Sequence, residues 1–324
     1  MTTVDTQKAR NPKRKKSDFS RNAFIFSMLF YPMLLFVVFW VCVNINSFVM
    51  AFTKSDLYGV TEFVWLDNFK EFLTRLFSDT DAVGQSMVNS LKIYAVNLVI
   101  SLPLYIIFSY LVFKQCFLHK TIRAMVMLPQ IISGFVVSML FSSFISGTNS
   151  PMTTLFLQLG IFDMRGAPLE LLYSDNYRYA LGTMIFYGIW VSFGMNMIVY
   201  PNAMKEIDSG ILESASIDGV RTMWQELRYI ILPLIFPTFE TFLITGIATM
   251  LTDEGCVLTF FPAGIPVGAD VSNMGYYYFM QVNNGNTASY NMMSAGGLIL
   301  TLIVAPITIG VRYLLDKFGP STEA

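Results

Sequence analysis

Side chains able to do acid–base, nucleophilic or metal chemistry are scarce in this sequence. It has one histidine, His119, and three cysteines, Cys42, Cys116 and Cys256, far apart and odd in number. That set forms neither a disulfide framework nor a metal knuckle, and a lone histidine supplies no catalytic triad. His119 stands among Lys114, Lys120 and Arg123, the setting of a solvated loop residue. Asp253 and Glu254 form a carboxylate pair at the end of an apolar stretch, where loop solvation explains them better than acid–base work. Two other ionisable residues, Lys92 and Glu240, fall inside apolar stretches, where a charge is costly and marks a functional candidate. Lys92 is near a stretch end and can reach polar surroundings along its own stem.

Around these few groups the chain is apolar. Its 324 residues are 54% hydrophobic and 13% charged, with mean hydropathy +0.54. About a quarter of the residues of a soluble protein are charged, so a water-facing surface is not available here. Six stretches have the roughly 20 apolar residues that cross a bilayer: 23–43 (with an extension to 52), 87–113, 124–145, 180–200, 230–251 and 293–315. The first is too long for a signal-peptide core and no small-residue cleavage pattern follows it.

Charge sets the orientation. The N-terminus, residues 114–123, residues 201–229 and the C-terminus carry 15 Lys and Arg, against 5 in the alternate set of loops. The positive-inside bias then places both ends in the cytoplasm. Seven basic residues precede position 22. A nucleic-acid arm is the weaker reading of that run, because an apolar segment follows at once. The expected fold is all-α and integral to the membrane: six transmembrane helices after a basic arm (1–22), a membrane domain over 23–316 and a tail (317–324).

Glu240 is placed about ten residues into the fifth stretch, roughly 15 Å along it and near the midplane, where it lines a solute path or hydrogen-bonds another subunit. Asn89, Asn97 and Ser101 recur at helical spacing and make a polar stripe that touches solute or joins helices. Tyr187 and Trp190 are further candidates, since sugars stack on such rings, although membrane boundaries also collect aromatics.

The most informative segment is residues 201–237. Asp208 or Ser209 can cap a first helix over 210–218 by accepting from free backbone N–H groups. Gly219 can end it in the left-handed conformation. Thr222 and Gln225 fit a capping box opening a second helix. Pro233 and Pro237 each remove a backbone donor, so a bend is expected there. The first helix offers Ile211, Leu212, Ala215 and Ile217 for apolar contact, with Glu213 and Asp218 charged. It either receives another protein or rests on the headgroups.

Glu213-Ser214-Ala215-Ser216-Ile217-Asp218-Gly219, followed by Ile230-Ile231-Leu232-Pro233, resembles the EAA loop of membrane subunits of binding-protein-dependent ABC importers. Ser214 stands where alanine is usual, and ten residues rather than nine separate Gly219 from Ile230. Trp65-Leu66-Asp67-Asn68-Phe69 is similar to a segment of the sugar-type subfamily, as are Leu258-Thr259 and Tyr276-Tyr277-Tyr278. The glycine-rich turn of that subfamily has only Ala263-Gly264-Ile265-Pro266 as counterpart.

The resemblance implies a permease subunit in the plasma membrane that moves a sugar or oligosaccharide. It implies an ABC ATPase dimer, a second permease and an extracytoplasmic solute-binding protein as partners, with the lipid bilayer around them and no nucleic acid. Glu213, Ser214, Ala215, Asp218 and Gly219 would couple to the ATPase, Ala215 by close packing, and Leu232 and Pro233 would join the loop to the fifth span. No Walker A motif is present, so ATP and Mg would be bound by the ATPase, with no cofactor or metal in this chain. An ABC permease for a phosphorylated polyol or peptide, or a self-contained carrier, is the competing expectation.

Overall fold

Large apolar side chains lie on the outside of this protein. The computed structural model describes residues 13–55, 61–78, 81–146, 150–159, 179–261, 264–265, 271–283 and 287–320. Lys8 and Arg10 of the basic arm, residues 321–324 of the tail, and Ala263 and Pro266 lie outside the described residues. The first apolar helix, α1 (Arg21–Ala51), has none of its most apolar window buried, and Phe24, Phe26 and Phe39 are 63%, 66% and 70% exposed. In water this surface would cost about 25 cal/mol for each Å². In hydrocarbon it costs nothing, and the pattern is that of lipid contact.

The chain then makes a small antiparallel ribbon, β1 (Thr53–Ser55) and β2 (Thr61–Phe63), with Thr53 opposite Phe63. A short amphipathic helix, α2 (Asp67–Leu76), follows. Asn68 fixes this corner: its buried amide donates to the carbonyls of Ala51 (2.9 Å) and Thr53 (2.8 Å). The amide of Asn291, from the last helix, also donates to the Thr53 carbonyl. The ribbon was not legible beforehand, because two three-residue strands leave no periodic signal.

Two long helices form the centre: α3 (Ala82–Phe113) and, after α4 (His119–Ile131), α5 (Gly134–Ile145) and α6 (Pro151–Leu159), helix α7 (Ala180–Lys205). The segment 124–145, read from sequence as one crossing, is two helices meeting at 107°. Ile132 is extended (ψ 148°) and Ser133 lies before Gly134. Pro129 removes one helical bond just upstream, and a Ser–Gly step completes the break. Gly194 of α7 admits Gln130 at this point, where a Cβ would stand 2.4 Å from the Gln130 side chain, and the Gln130 amide donates to the Val191 carbonyl at 2.8 Å.

Beyond α7 come α8 (Ser209–Ile217), α9 (Met223–Leu234) and α10 (Phe236–Thr249), the last two bent by 70°. Pro233 and Pro237 flank that bend, as expected from their missing donors. A one-turn α11 (Val257–Phe260), α12 (Met274–Asn283) and the long α13 (Thr287–Phe318) complete the chain. Among the described residues four helices are long and apolar enough to cross a membrane, or up to six if each bent pair counts as one.

Helices α3 and α9 share a local device. Each contains a π-helical turn just before a proline: Asn97–Ser101 before Pro103, and Leu227–Ile231 before Pro233. In each the N–H of the residue ahead of the proline donates five residues back, Leu102 to Asn97 and Leu232 to Leu227. The wider turn relieves the crowding that the proline ring causes.

Candidate functional site

A cavity of about 590 Å³ opens between α3, α7 and α10, within the range that holds small organic ligands. Helix α3 contributes Ser90, Tyr94, Asn97 and Tyr105; α7 contributes Tyr187, Ser192, Asn196 and Tyr200. Thr245 and Thr249 of α10, with Asp253 and Asn273 from the segments beyond it, complete the polar lining. The threonine hydroxyls donate to the preceding turn, Thr245 to Thr241 at 2.7 Å and Thr249 to Thr245 at 3.0 Å, so their oxygens face a ligand as acceptors. Asn97 accepts from Ser101 at 3.1 Å, and it opens the π-helical turn of α3.

Two packed clusters close the cavity. On the side of residues 252–286, Tyr187 packs with Val137, Met184, Val257 and Phe260. On the side of residues 201–229, Tyr105 and Tyr200 pack with Tyr110, Met204, Leu227, Ile231 and Ile235. These two tyrosines therefore belong both to the cavity wall and to the cluster on which the 201–229 loop rests.

In that loop, Asp208 caps α8, accepting from Gly210 at 2.9 Å. Gly219 is left-handed at φ 99°. Thr222 accepts from Gln225, and the Gln225 side chain accepts from the Thr222 N–H, each at 3.2 Å. These four residues were legible because capping is decided within one turn of chain. Leu212 packs on the cluster beneath and Ala215 is 7% exposed. Ala215 is thus buried against its own chain, so it seats α8 and does not present a surface, unlike the outward packing expected from sequence. Glu213, Ser214 and Asp218 are exposed. Ile217 is 85% exposed, and Trp224 of α9 is 61% exposed beside it in sequence. Trp224 went unread, although a tryptophan in a polar loop is a visible signal.

Two expectations need correction, and a third is decided between its two readings. Glu240 is not among the cavity-lining residues. The 70° bend makes it only the fifth residue of α10, and it faces Asp316 and Arg312 near the end of α13. Trp190 does not line the cavity either; it stacks on Phe141, with centroids 6.1 Å apart. Asn89 joins elements, its amide donating to the Ser272 carbonyl at 3.1 Å. Asn97 and Tyr187 do reach the cavity, and Tyr187 is 4% exposed with its hydroxyl donating to the Gly134 carbonyl.

No family model matches the chain. It is 24% identical to a probable ABC transporter permease, YesP of Bacillus subtilis, over 86% of this chain and 89% of that one. It is 24% identical to a probable starch degradation products transport system permease, AmyD of Thermoanaerobacterium thermosulfurigenes, over 94% and 98%. A solved bacterial ABC transporter involved in the import of the acidic polysaccharide alginate contains a chain of the same fold, with TM-score 0.76 and 21% identity over 94% of this chain and 99% of that one. Over most of its length the chain is thus similar to sugar-type permeases of ABC importers.

This permease is a multi-pass protein of the plasma membrane. Its cavity also holds Cys256, whose thiol donates to the Met184 carbonyl at 3.4 Å. Burial, with a smaller contribution from Asp253, pushes the Cys256 thiol up to about 12. The thiolate is the reactive form, so Cys256 is held mostly as the unreactive thiol at neutral pH. A polar maleimide at pH 8 is expected to label Cys116 and to spare Cys256. Peptide mass spectrometry reads this; equal labelling of both at pH 8 would contradict the burial.

Proposed function

We propose that the chain crosses the membrane six times with both ends in the cytoplasm and forms half of the path of an ATP-driven sugar or oligosaccharide importer. The remaining half belongs to a second permease. An extracytoplasmic binding protein delivers the cargo, as the solved alginate importer was captured with an oligosaccharide-bound periplasmic protein. The chain itself catalyses nothing. ATP and Mg are bound by a separate ATPase dimer, which docks on α8.

One observation carries this reading: Tyr105 and Tyr200 line the cavity and also form the packed cluster under the loop. A push on α8 passes through Leu212 to Tyr200 and Met204 on α7, and through Leu227 and Ile231 to Tyr105 on α3. Glu213, Ser214 and Asp218 meet the ATPase, with Ile217 and Trp224 as its apolar anchors. Gly219 sets the angle between α8 and α9. Leu232 and Pro233 carry the movement into the bend. The absence of cationic side chains from the described cavity lining and its acceptor oxygens, amides and tyrosine rings suit a hydroxyl-rich solute.

The test is uptake by proteoliposomes holding the complete complex and its binding protein, across a panel of mono- and oligosaccharides. The expected result is ATP-dependent uptake of at least one saccharide, lowered about tenfold by Asn97→Leu through one lost polar contact. Uptake of a peptide or polyol phosphate alone would overturn the cargo, and uptake without ATP would overturn the class.

A further inference from the structure

The loop and the cavity wall are also joined by an ion pair. Lys114 follows α3 directly, and its Nζ lies 2.6 Å from Oε1 of Glu226. The same ammonium sits 5.9 Å from the centroid of the Tyr110 ring, and the Tyr110 hydroxyl faces the same carboxylate. Glu226 is in the first turn of α9, four residues after Thr222, so the capping box that opens α9 also sets where this carboxylate stands. The two side chains are 31% and 18% exposed. Partial exclusion of water strengthens the attraction beyond that of a surface pair.

The placement of this pair is distinctive. Two further ion pairs, Glu71 with Arg75 and Asp316 with Arg312, each lie within one helix. Lys114–Glu226 instead links the helix that gives Tyr94, Asn97 and Tyr105 to the cavity with the segment that continues from Gly219. Apolar contacts in the cluster between them are non-directional and tolerate sliding. A partly buried ion pair between two fixed side chains has a preferred separation and resists it.

We propose that Lys114 and Glu226 are positioning residues that lock α3 to the loop, so that displacement of α8 moves the cavity wall. This rests on the ATP-driven reading above. The experiment uses the full complex in proteoliposomes and measures solute moved per ATP hydrolysed. Glu226→Gln and Lys114→Met are expected to lower that ratio about two- to thirtyfold, with the ATPase still bound and still hydrolysing. The exchanged pair, Lys114→Glu with Glu226→Lys, is expected to recover part of it. A normal ratio in both single variants, or an exchanged pair no better than they are, would overturn the proposal. Glu226→Gln keeps the side chain's shape, and retention of the ATPase on the purified variant separates an uncoupled complex from a misassembled one. A wild-type complex that moves solute without ATP would overturn the reading beneath, and this proposal with it.

Discussion

Ile217→Asp is expected to release the ATPase from the purified complex. Ile217 is 85% exposed, and Ile211 44%, on a short helix whose Leu212 packs on the cluster beneath and whose Ala215 is buried. An aliphatic side chain left in water at a helix end, with Trp224 61% exposed five residues beyond Gly219, has the composition of an interface centre, where truncating one anchor costs about 2 kcal/mol or more. That is about a thirtyfold loss of affinity. Trp224→Ala is expected to act in the same direction. Quantifying the ATPase retained after detergent extraction reads both, and full retention in both variants would place the docking surface elsewhere.

Gly275→Val is expected to have the largest effect on folding. A Cβ at Gly275 would stand 2.5 Å from the Asp253 carbonyl carbon and 2.6 Å from the Glu254 nitrogen. Both are backbone atoms, which no rotamer change can move. The site is also knotted: Asn273 donates to the Asp253 carbonyl at 3.1 Å and accepts from the Tyr276 N–H at 2.9 Å, while the Met274 N–H donates to Ser90 at 2.8 Å. Overpacking of this kind costs about 3 kcal/mol or more when the backbone must shift, a fall of about 5 °C or more in thermal midpoint. Gly182→Ala, where a Cβ meets nothing within 4 Å, is the control and is expected to be neutral or slightly stabilising. Equal melting of the two variants would show that the knot yields.

The sequence was readable wherever structure is decided locally. Asp208, Gly219, Thr222 and Gln225 act within one turn, and Pro233 and Pro237 bend the chain by removing donors from their own helix. It was less readable where orientation depends on a distant neighbour. Tyr187 and Trp190 are three residues apart on α7 and both lie against Phe141, yet Tyr187 lines the cavity and Trp190 does not. Glu240 was placed by counting along a straight helix that turns out to be bent before it begins. The cavity threonines were missed although Thr241, Thr245 and Thr249 recur every fourth residue, a polar line on an apolar helix. The break at Ile132 gave little warning, because Pro129 alone is compatible with a mere kink.

The most direct test is to tag the chain at Ala324, extract it from its native membrane in mild detergent and identify what accompanies it by mass spectrometry. The expected result is a second polytopic chain and a Walker-motif ATPase, with the ATPase lost when Glu213→Arg or Ile217→Asp is introduced. A chain that purifies alone and still carries a solute across liposomes without ATP would contradict the account.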